Sequence, residues 1–131
     1  MDLAATYVAG DRFTIEVRGH RLVVDQPTAD GGDDAGPTPT ELFVASLAAC
    51  VGFYAERFLH RHGLPTDQLR VECHANMSAD RPARVAAITL RMAGLPELSE
   101  KRRDGLRAVV EHCTVHNSIR QAPRIEIDLA A

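Results

Sequence analysis

Residues 38–55 read TPTELFVASLAACVGFYA and carry the clearest structural signal in this chain of 131 residues. Thr38 and Glu41 stand three positions apart, the spacing of a helix capping box, and Pro39 occupies the first helical position between them. The pattern predicts one helix that runs to about His62. Such a helix has roughly 24 residues and a length of about 36 Å.

Shorter periodic segments lie on both sides of this helix. Short β-type runs, the last of them alternating, predict strands, and apolar residues at helical spacing predict two further helices. The predicted strands are 3–8, 13–17, 22–24, 71–77, 85–92 and 125–129, and the predicted helices are 96–113 and 114–121. The Asp- and Gly-rich residues 26–36 predict a loop. Because strands and helices are segregated along the chain, we expect an α+β fold with antiparallel sheets.

The long helix is too apolar to be covered by one chain. Between Leu42 and Ala55 almost every residue is apolar, and a helix that is apolar all round has to be buried all round. One sheet of short strands can cover only one side of it. We therefore expect a homodimer in which two long helices pack together and two sheets wrap around them.

Length and composition narrow the class of protein. The length predicts a single domain over residues 1–131. With 15 Lys and Arg against 18 Asp and Glu, the chain has no basic footprint for nucleic acid. The first ten residues lack the basic region of a signal peptide, and the apolar run at 42–55 is shorter than the roughly 20 residues of a membrane span. We expect a cytoplasmic protein without a membrane anchor.

The three cysteines, Cys50, Cys73 and Cys113, are the candidates for chemistry. Their odd number and wide spacing do not fit a disulfide scaffold, and no C-x-x-C motif occurs. Cys50 lies mid-helix among small residues, which suits either a buried structural cysteine or a reactive thiol with room for a ligand. Cys113 precedes a predicted helix whose free N–H groups would lower the pKa of its thiol. We interpret Cys73 as structural.

A metal site is a weaker alternative. His112 and His116 flank Cys113 at helical spacing, but a helix break at Thr114 would separate the two rings, and no second ligand pair follows at fixed spacing. The sequence therefore predicts neither a metal nor another cofactor.

Three segments together resemble the OsmC/Ohr family of organic hydroperoxide reductases. They are GPTPTELF at 36–43, ASLAAC at 45–50 and EHCTVHNS at 111–118, and the order of elements also agrees. The resemblance implies an α+β homodimer in which antiparallel sheets from two intertwined chains wrap around two long central helices.

The resemblance also implies a chemistry. Cys50 would be the thiol that attacks an organic hydroperoxide and becomes a sulfenic acid, and Cys113 would resolve it as a disulfide. A dithiol, such as a lipoylated protein, or a low-molecular-weight thiol would then reduce the disulfide. The rival functions are a non-catalytic redox sensor that uses the same two cysteines and a binder of small hydrophobic ligands.

Family members activate the thiolate with an arginine paired to a glutamate ten residues before the first cysteine. Here that position is Thr40, whereas Glu41 lies nine residues before Cys50 and points about 180° away from it on a helix. Glu41 therefore fits the capping box better than the active site. Arg12 is the nearest match to the arginine, so Arg12 and Glu41 are the candidate supporting residues. Arg18 and Arg21 are rivals for the same role.

Overall fold

The chain begins with an antiparallel meander in the computed structural model, which describes residues 1–130. Its strands are β1 (Ala4–Ala9), β2 (Arg12–Val17) and β3 (His20–Val24). The register places Thr6 opposite Thr14 and Ile15 opposite Leu22. These bounds agree with the sequence prediction to within two residues at each end.

The loop after β3 folds around one buried side chain, that of Asp25. Its carboxylate accepts backbone N–H bonds from Gln26 at 2.8 Å, Asp33 at 3.2 Å and Ala35 at 3.1 Å. A side chain at Gly36 would place its Cβ 2.2 Å from the carbonyl oxygen of Val23, so glycine allows the loop to return against β3. The predicted loop is therefore closed on Asp25, a residue that the sequence pattern did not single out.

Asp25 also lies beside Arg12, whose Nε is 3.7 Å from its carboxylate. The backbone hydrogen bonds, first that of Ala35, and the charge of Arg12 hold the pKa of Asp25 below its usual 3.8, against the opposing effect of burial. The folded loop thus depends on the ionised form of this carboxyl group.

Helix α1 (Pro39–Arg61) matches its prediction. The capping box is confirmed, since the Glu41 side chain accepts the N–H of Thr38 at 3.0 Å and the Thr38 hydroxyl accepts the N–H of Glu41 at 3.1 Å. At the other end Gly63 adopts a positive φ of 65°, and Leu64 N–H bonds back to the Leu59 carbonyl.

The remaining elements follow in the predicted order, although the second helix covers 100–110 where the sequence predicted 96–113. They are β4 (Arg70–Met77), β5 (Val85–Ala93), α2 (Glu100–Val110) and α3 (Thr114–Arg120). β4 and β5 form an antiparallel hairpin that pairs Cys73 with Leu90. Ser99 caps α2 by accepting the N–H of Arg102. The described residues thus form a mixed α/β fold with antiparallel sheets and three α-helices.

Contacts divide the chain into two units, Met1–Val44 and a second that begins at Ala45. The single domain over residues 1–131 therefore stays a prediction.

A stripe along α1 forms the core of the second unit. The stripe consists of Leu47, Val51, Ala55 and Leu59, four residues at a spacing of four. It packs against Leu98, Leu106, Val110 and Cys113, all of them buried. This packing brings α2 and the start of α3 to the middle of α1.

The rest of α1 is much less covered. Phe53 is 53% exposed, and only 28% of the most apolar 18-residue window of the helix is buried. With 23 residues and a mean hydropathy of 1.5 in that window, α1 is long and apolar enough to cross a bilayer, although the core helix of a soluble protein passes the same test. The nearly apolar run at 42–55, which Ser46 interrupts, underestimated the apolar length of this helix, because the run was ended at Glu56.

The predicted last strand at 125–129 is wrong for the described single chain. No strand is formed after α3, and Ile125, Ile127 and Leu129 are exposed. Alternation shows that one face of a segment is apolar, but a strand also needs a neighbour to accept its hydrogen bonds. The described residues provide no such neighbour here.

We expect Asp25→Asn to destabilise the protein at neutral pH, because an amide presents an NH2 donor to backbone N–H groups and lacks the charge that faces Arg12. Since the folded pKa lies below the unfolded 3.8, the carboxylate contributes fully above about pH 5 and loses its contribution as the pH falls through the folded pKa. Urea unfolding of both proteins from neutral to acid pH should show a difference that narrows in acid.

Asp33→Asn is the matched control, because Asp33 is exposed and its ion pair with Arg12 is worth about 1 kcal/mol or less. Equal destabilisation by the two substitutions would contradict this account of Asp25.

Candidate functional site

Cys50 lies in the middle of α1, one position before Val51 of the buried stripe. Its side chain is half-buried and packs against the core cluster, as do Tyr54 and Phe58 one and two turns later. Ala48, Ala49 and Gly52 leave an open groove of about 320 Å³ along the helix beside Leu69 and Val71. Cys50 does not line this groove, because Ala48 and Gly52 lie about 160° around the helix from it. The small residues therefore leave room on another face of α1.

Cys113 is fully buried at the junction of α2 and α3. Its extended backbone, with φ −65° and ψ 151°, makes it the N-cap residue of α3. Its sulfur accepts the N–H of His116 at 3.4 Å, which is the helix N-terminal contact that the sequence predicted.

The two thiols meet at this junction. Cys50 and Cys113 are both free, Cys50 packs against the core cluster that contains Cys113, and its thiol is near enough to raise the pKa of the Cys113 thiol. Residues 63 positions apart in the chain thus form a reduced dithiol pair. A disulfide between them joins groups that are already in contact.

The pKa of Cys113 is raised above its usual 9.0, mainly by burial. The N–H groups of His116 and Val115 lower it, and the neighbouring Cys50 raises it further. The prediction of a lowered pKa is therefore wrong, although its contact is present. Removal of the sulfur from water outweighs the dipole of a seven-residue helix.

A second contact joins the same two segments. The hydroxyl oxygens of Tyr54 and Thr114 are 2.9 Å apart. Tyr54 lies one helical turn after Cys50, and Thr114 directly follows Cys113. The sequence analysis missed both residues, because nothing in the chain shows that Thr114 folds onto this turn of α1.

A cavity of about 340 Å³ adjoins the pair on the side of α2. Apolar side chains from α1, β5, the segment after it and α2 line it: Val51, Leu90, Met92, Leu95, Leu106 and Val110. Arg103, Arg107, Glu111 and His116 complete the lining. Neither cysteine lines the cavity, but the lining residue Val51 directly follows Cys50, and the lining residue His116 bonds the Cys113 sulfur through its backbone.

The two candidate supporting residues have other partners in the structure. Arg12 pairs with Asp25 and, at 3.3 Å, with Asp33, while its buried Nε has no hydrogen-bond partner among the described residues. Glu41 is engaged in the capping box with Thr38. An activating role of Arg12 and Glu41 toward Cys50 stays a prediction.

The structure also bears on the interpretations of Cys73, His112 and His116. Cys73 is exposed on β4, so it is not a packed structural residue of the described chain. The His112 ring bonds the Ala108 carbonyl at 2.8 Å, and His116 contacts Cys113 through its backbone. In residues 1–130 no three side chains of the metal-binding types are grouped to hold an ion. The metal alternative at His112, Cys113 and His116 gains no support.

Comparison with known protein families finds a match over most of the chain. A family profile described as OsmC-like protein matches residues 31–128, which include all three segments of the resemblance. No curated protein matches the sequence.

Solved structures match over nearly the whole chain. A Psychrobacter arcticus protein named for an osmotic stress induced and detoxification response is 22% identical, with 88% of this chain and 85% of that chain covered and a TM-score of 0.80. The organic hydroperoxide resistance protein OsmC of Legionella pneumophila is 19% identical, with 92% and 90% covered and a TM-score of 0.67. The organic hydroperoxide resistance protein OhrB of Bacillus subtilis is also 19% identical, with 92% and 90% covered and a TM-score of 0.63. At these identities the likeness shows the fold.

We expect an alkylating reagent at neutral pH to modify exposed Cys73 at least about tenfold faster than Cys113, because burial excludes the reagent and the raised pKa keeps the thiol protonated. Peptide mapping by mass spectrometry over time measures each rate. In denaturant the two rates should converge. Equal rates in the folded protein would show that the Cys113 sulfur is accessible and ionised.

Proposed function

The chain belongs to the OsmC-like family, and we propose that it is a thiol-dependent peroxidase that reduces organic hydroperoxides to alcohols. The packing of Cys50 against the core cluster that contains Cys113 is the observation that supports this function most directly. Two thiols in contact can alternate between a dithiol and a disulfide without a large rearrangement of the chain.

The proposed cycle has three steps. The Cys50 thiolate attacks the terminal oxygen of the hydroperoxide, the O–O bond breaks, and the released alkoxide takes a proton to become the alcohol. The Cys113 thiol then attacks the Cys50 sulfenic acid, forming the disulfide and releasing water. A dithiol reductant restores both thiols by exchange and is itself oxidised to a disulfide.

The difference in burial supports this division of roles. Cys50 is half-buried and within reach of a small molecule, whereas Cys113 is inaccessible and has a raised pKa. A buried protonated thiol is a poor first nucleophile for a peroxide. It is suited to react with the sulfur beside it, because contact replaces accessibility as the condition for reaction.

The apolar wall beside the pair favours organic hydroperoxides over hydrogen peroxide. Val51 and Val110 border both the core around Cys113 and the adjoining cavity. An alkyl or aryl group gains free energy by leaving water for such a wall, at about 25 cal/mol per Å² of apolar surface. Hydrogen peroxide has no apolar group to bury.

The second candidate function is a redox sensor that uses the same two cysteines, or a binder of small hydrophobic ligands. The partners of Arg12 and Glu41 favour it, because both side chains are held by Asp25, Asp33 and Thr38. A pair without an activating cation would be oxidised slowly. The peroxidase assay below distinguishes slow oxidation from turnover.

We also propose a cytoplasmic homodimer. Ala49 and Phe53 lie on an exposed face of α1 next to the groove of small residues, where a second long helix can approach closely. The exposed alternating residues Ile125, Ile127 and Leu129 lack a neighbouring strand in the described chain, and a sheet of a second copy would supply one. A reducing cytoplasm would provide the dithiol or low-molecular-weight thiol.

We expect Cys50→Ser to abolish turnover of cumene hydroperoxide in the presence of a dithiol, because it removes the nucleophile. Cys113→Ser should lose sustained turnover and accumulate the Cys50 sulfinic acid, because no second thiol resolves the sulfenic acid. Cys73→Ser is the matched control and should retain the wild-type rate. Thiol titration should fall from three free thiols to one after peroxide treatment, with Cys73 left over.

Formation of the Cys50–Cys113 disulfide without turnover with any organic hydroperoxide would refute the peroxidase and support the sensor. Turnover that survives Cys50→Ser would refute the assignment of Cys50.

We expect sedimentation equilibrium to show a dimer at micromolar concentration. Ala49→Glu should shift it to a monomer, because the substitution places an unpaired charge in the proposed helix interface. Ala108→Glu, also at an exposed helical alanine, should leave the dimer intact. A monomeric wild-type protein would refute the proposal, and a protein that stays in solution only with detergent would assign the face of α1 to a membrane.

A further inference from the structure

We propose that Tyr54 and Thr114 are positioning residues: the hydrogen bond between their hydroxyl groups holds Cys113 against Cys50 and determines how fast the oxidised Cys50 is captured. This inference rests on the dithiol chemistry of the proposed function. It concerns the resolving step, in which a correctly placed second thiol competes with a second molecule of peroxide.

The two contacts are one helical turn apart. Tyr54 follows Cys50 by four residues, so the two side chains leave α1 on the same side, about 6 Å apart along the axis. On the other segment Thr114 is the next residue after Cys113. The N-terminus of α3 is therefore held against α1 at two adjacent points. One is the pair of thiols, and the other is the 2.9 Å contact between the two hydroxyl groups.

The hydroxyl contact matters for the position of α3, because few side chains of this helix pack against the rest of the unit. The helix has seven residues, none of them buried, and its packing against the core cluster comes from half-buried Val115. The side chains of Asn117 and Ser118 bond the carbonyl oxygens of His112 and Thr114, which are local contacts near the α2–α3 junction and do not reach α1. Cys113 is buried, but its position along α1 depends on where the first turn of α3 is held.

The position of Cys113 decides between two fates of the Cys50 sulfenic acid. Attack by the Cys113 thiol forms the S–S bond and releases water. Attack of the Cys50 sulfenate on a second hydroperoxide transfers one oxygen, which gives a sulfinic acid and a second alcohol and removes the enzyme from the cycle. Anything that delays the first reaction increases the share of the second.

The Tyr54–Thr114 bond accelerates the first reaction by keeping the Cys113 segment in place. Loss of one such bond changes the population of the held state by about two- to tenfold. Because a disulfide tolerates only a narrow range of Cα separations, about 4.4 to 6.8 Å, a released segment resolves the sulfenic acid correspondingly more slowly.

The test compares Tyr54→Phe and Thr114→Val, which each remove one hydroxyl group, with Thr114→Ser, which keeps it. Each reduced protein is treated with excess cumene hydroperoxide without reductant, and intact mass spectrometry gives the ratio of disulfide to sulfinic acid. We expect the sulfinic fraction relative to disulfide to rise about two- to tenfold in Tyr54→Phe and Thr114→Val. Thr114→Ser should match the wild type.

The double variant Tyr54→Phe, Thr114→Val adds a second criterion. If the two hydroxyl groups act through one bond, its ratio should equal that of either single variant. Wild-type ratios in both single variants, additive effects, or a Thr114→Ser protein that behaves like Thr114→Val would each overturn the inference. Thermal unfolding identifies a variant that fails to fold, in which case the other single variant decides.

Oxidation by diamide separates this inference from the proposed function, because diamide closes a dithiol without any hydroperoxide. If hydroperoxides leave the wild type reduced but diamide closes the disulfide more slowly in Tyr54→Phe than in wild type, the peroxidase proposal fails and the positioning role stands. If all variants close at the wild-type rate with both oxidants, the positioning role fails and the peroxidase proposal stands.

Discussion

The apolar stripe of α1 is the surface on which the second unit is assembled. Leu47, Val51, Ala55 and Leu59 repeat every four residues and bury themselves against Leu106 and Val110 of α2. Because Cys50 lies one position before Val51, the same packing determines which segment faces the thiol. The dithiol pair is thus a consequence of how α2 and α3 dock on this helix.

Burial and the helix N-terminus act on Cys113 in opposite directions. The N–H groups at the start of α3 stabilise a thiolate, but removal of the sulfur from water destabilises it more, and the adjacent Cys50 adds to that effect. A buried thiol with a raised pKa stays protonated and is shielded from solutes. In the proposed cycle this shielding fits the second thiol to react better than the first.

Asp25 and Arg12 form an ion pair within the first unit. The buried carboxylate of Asp25 organises the loop at 26–36 through three backbone hydrogen bonds and also attracts Arg12. Arg12 is paired with Asp33 as well, so its guanidinium is held between two carboxylates of the first unit.

The elements that could be predicted depend on interactions between residues that are close together in the sequence. The capping box at Thr38 and Glu41, the apolar run that follows and the alternation in the strands are short-range properties, and the helices and paired strands formed where those patterns predicted them. The segment at 125–129 shows where the approach fails, because a strand requires a partner that the local pattern cannot supply. The pairing of Cys50 with Cys113 came from a resemblance to a family and not from spacing.

Long-range docking accounts for the rest. The direction of the Cys113 pKa depends on how much protein surrounds the sulfur, and the Tyr54–Thr114 bond depends on residues 60 positions apart meeting at one turn of α1. Neither is encoded in a short window of residues, since desolvation and contact are properties of the packed chain. The sequence alone therefore shows which residues carry chemically capable side chains. Their reactivity depends on the burial and contacts that the tertiary structure gives them.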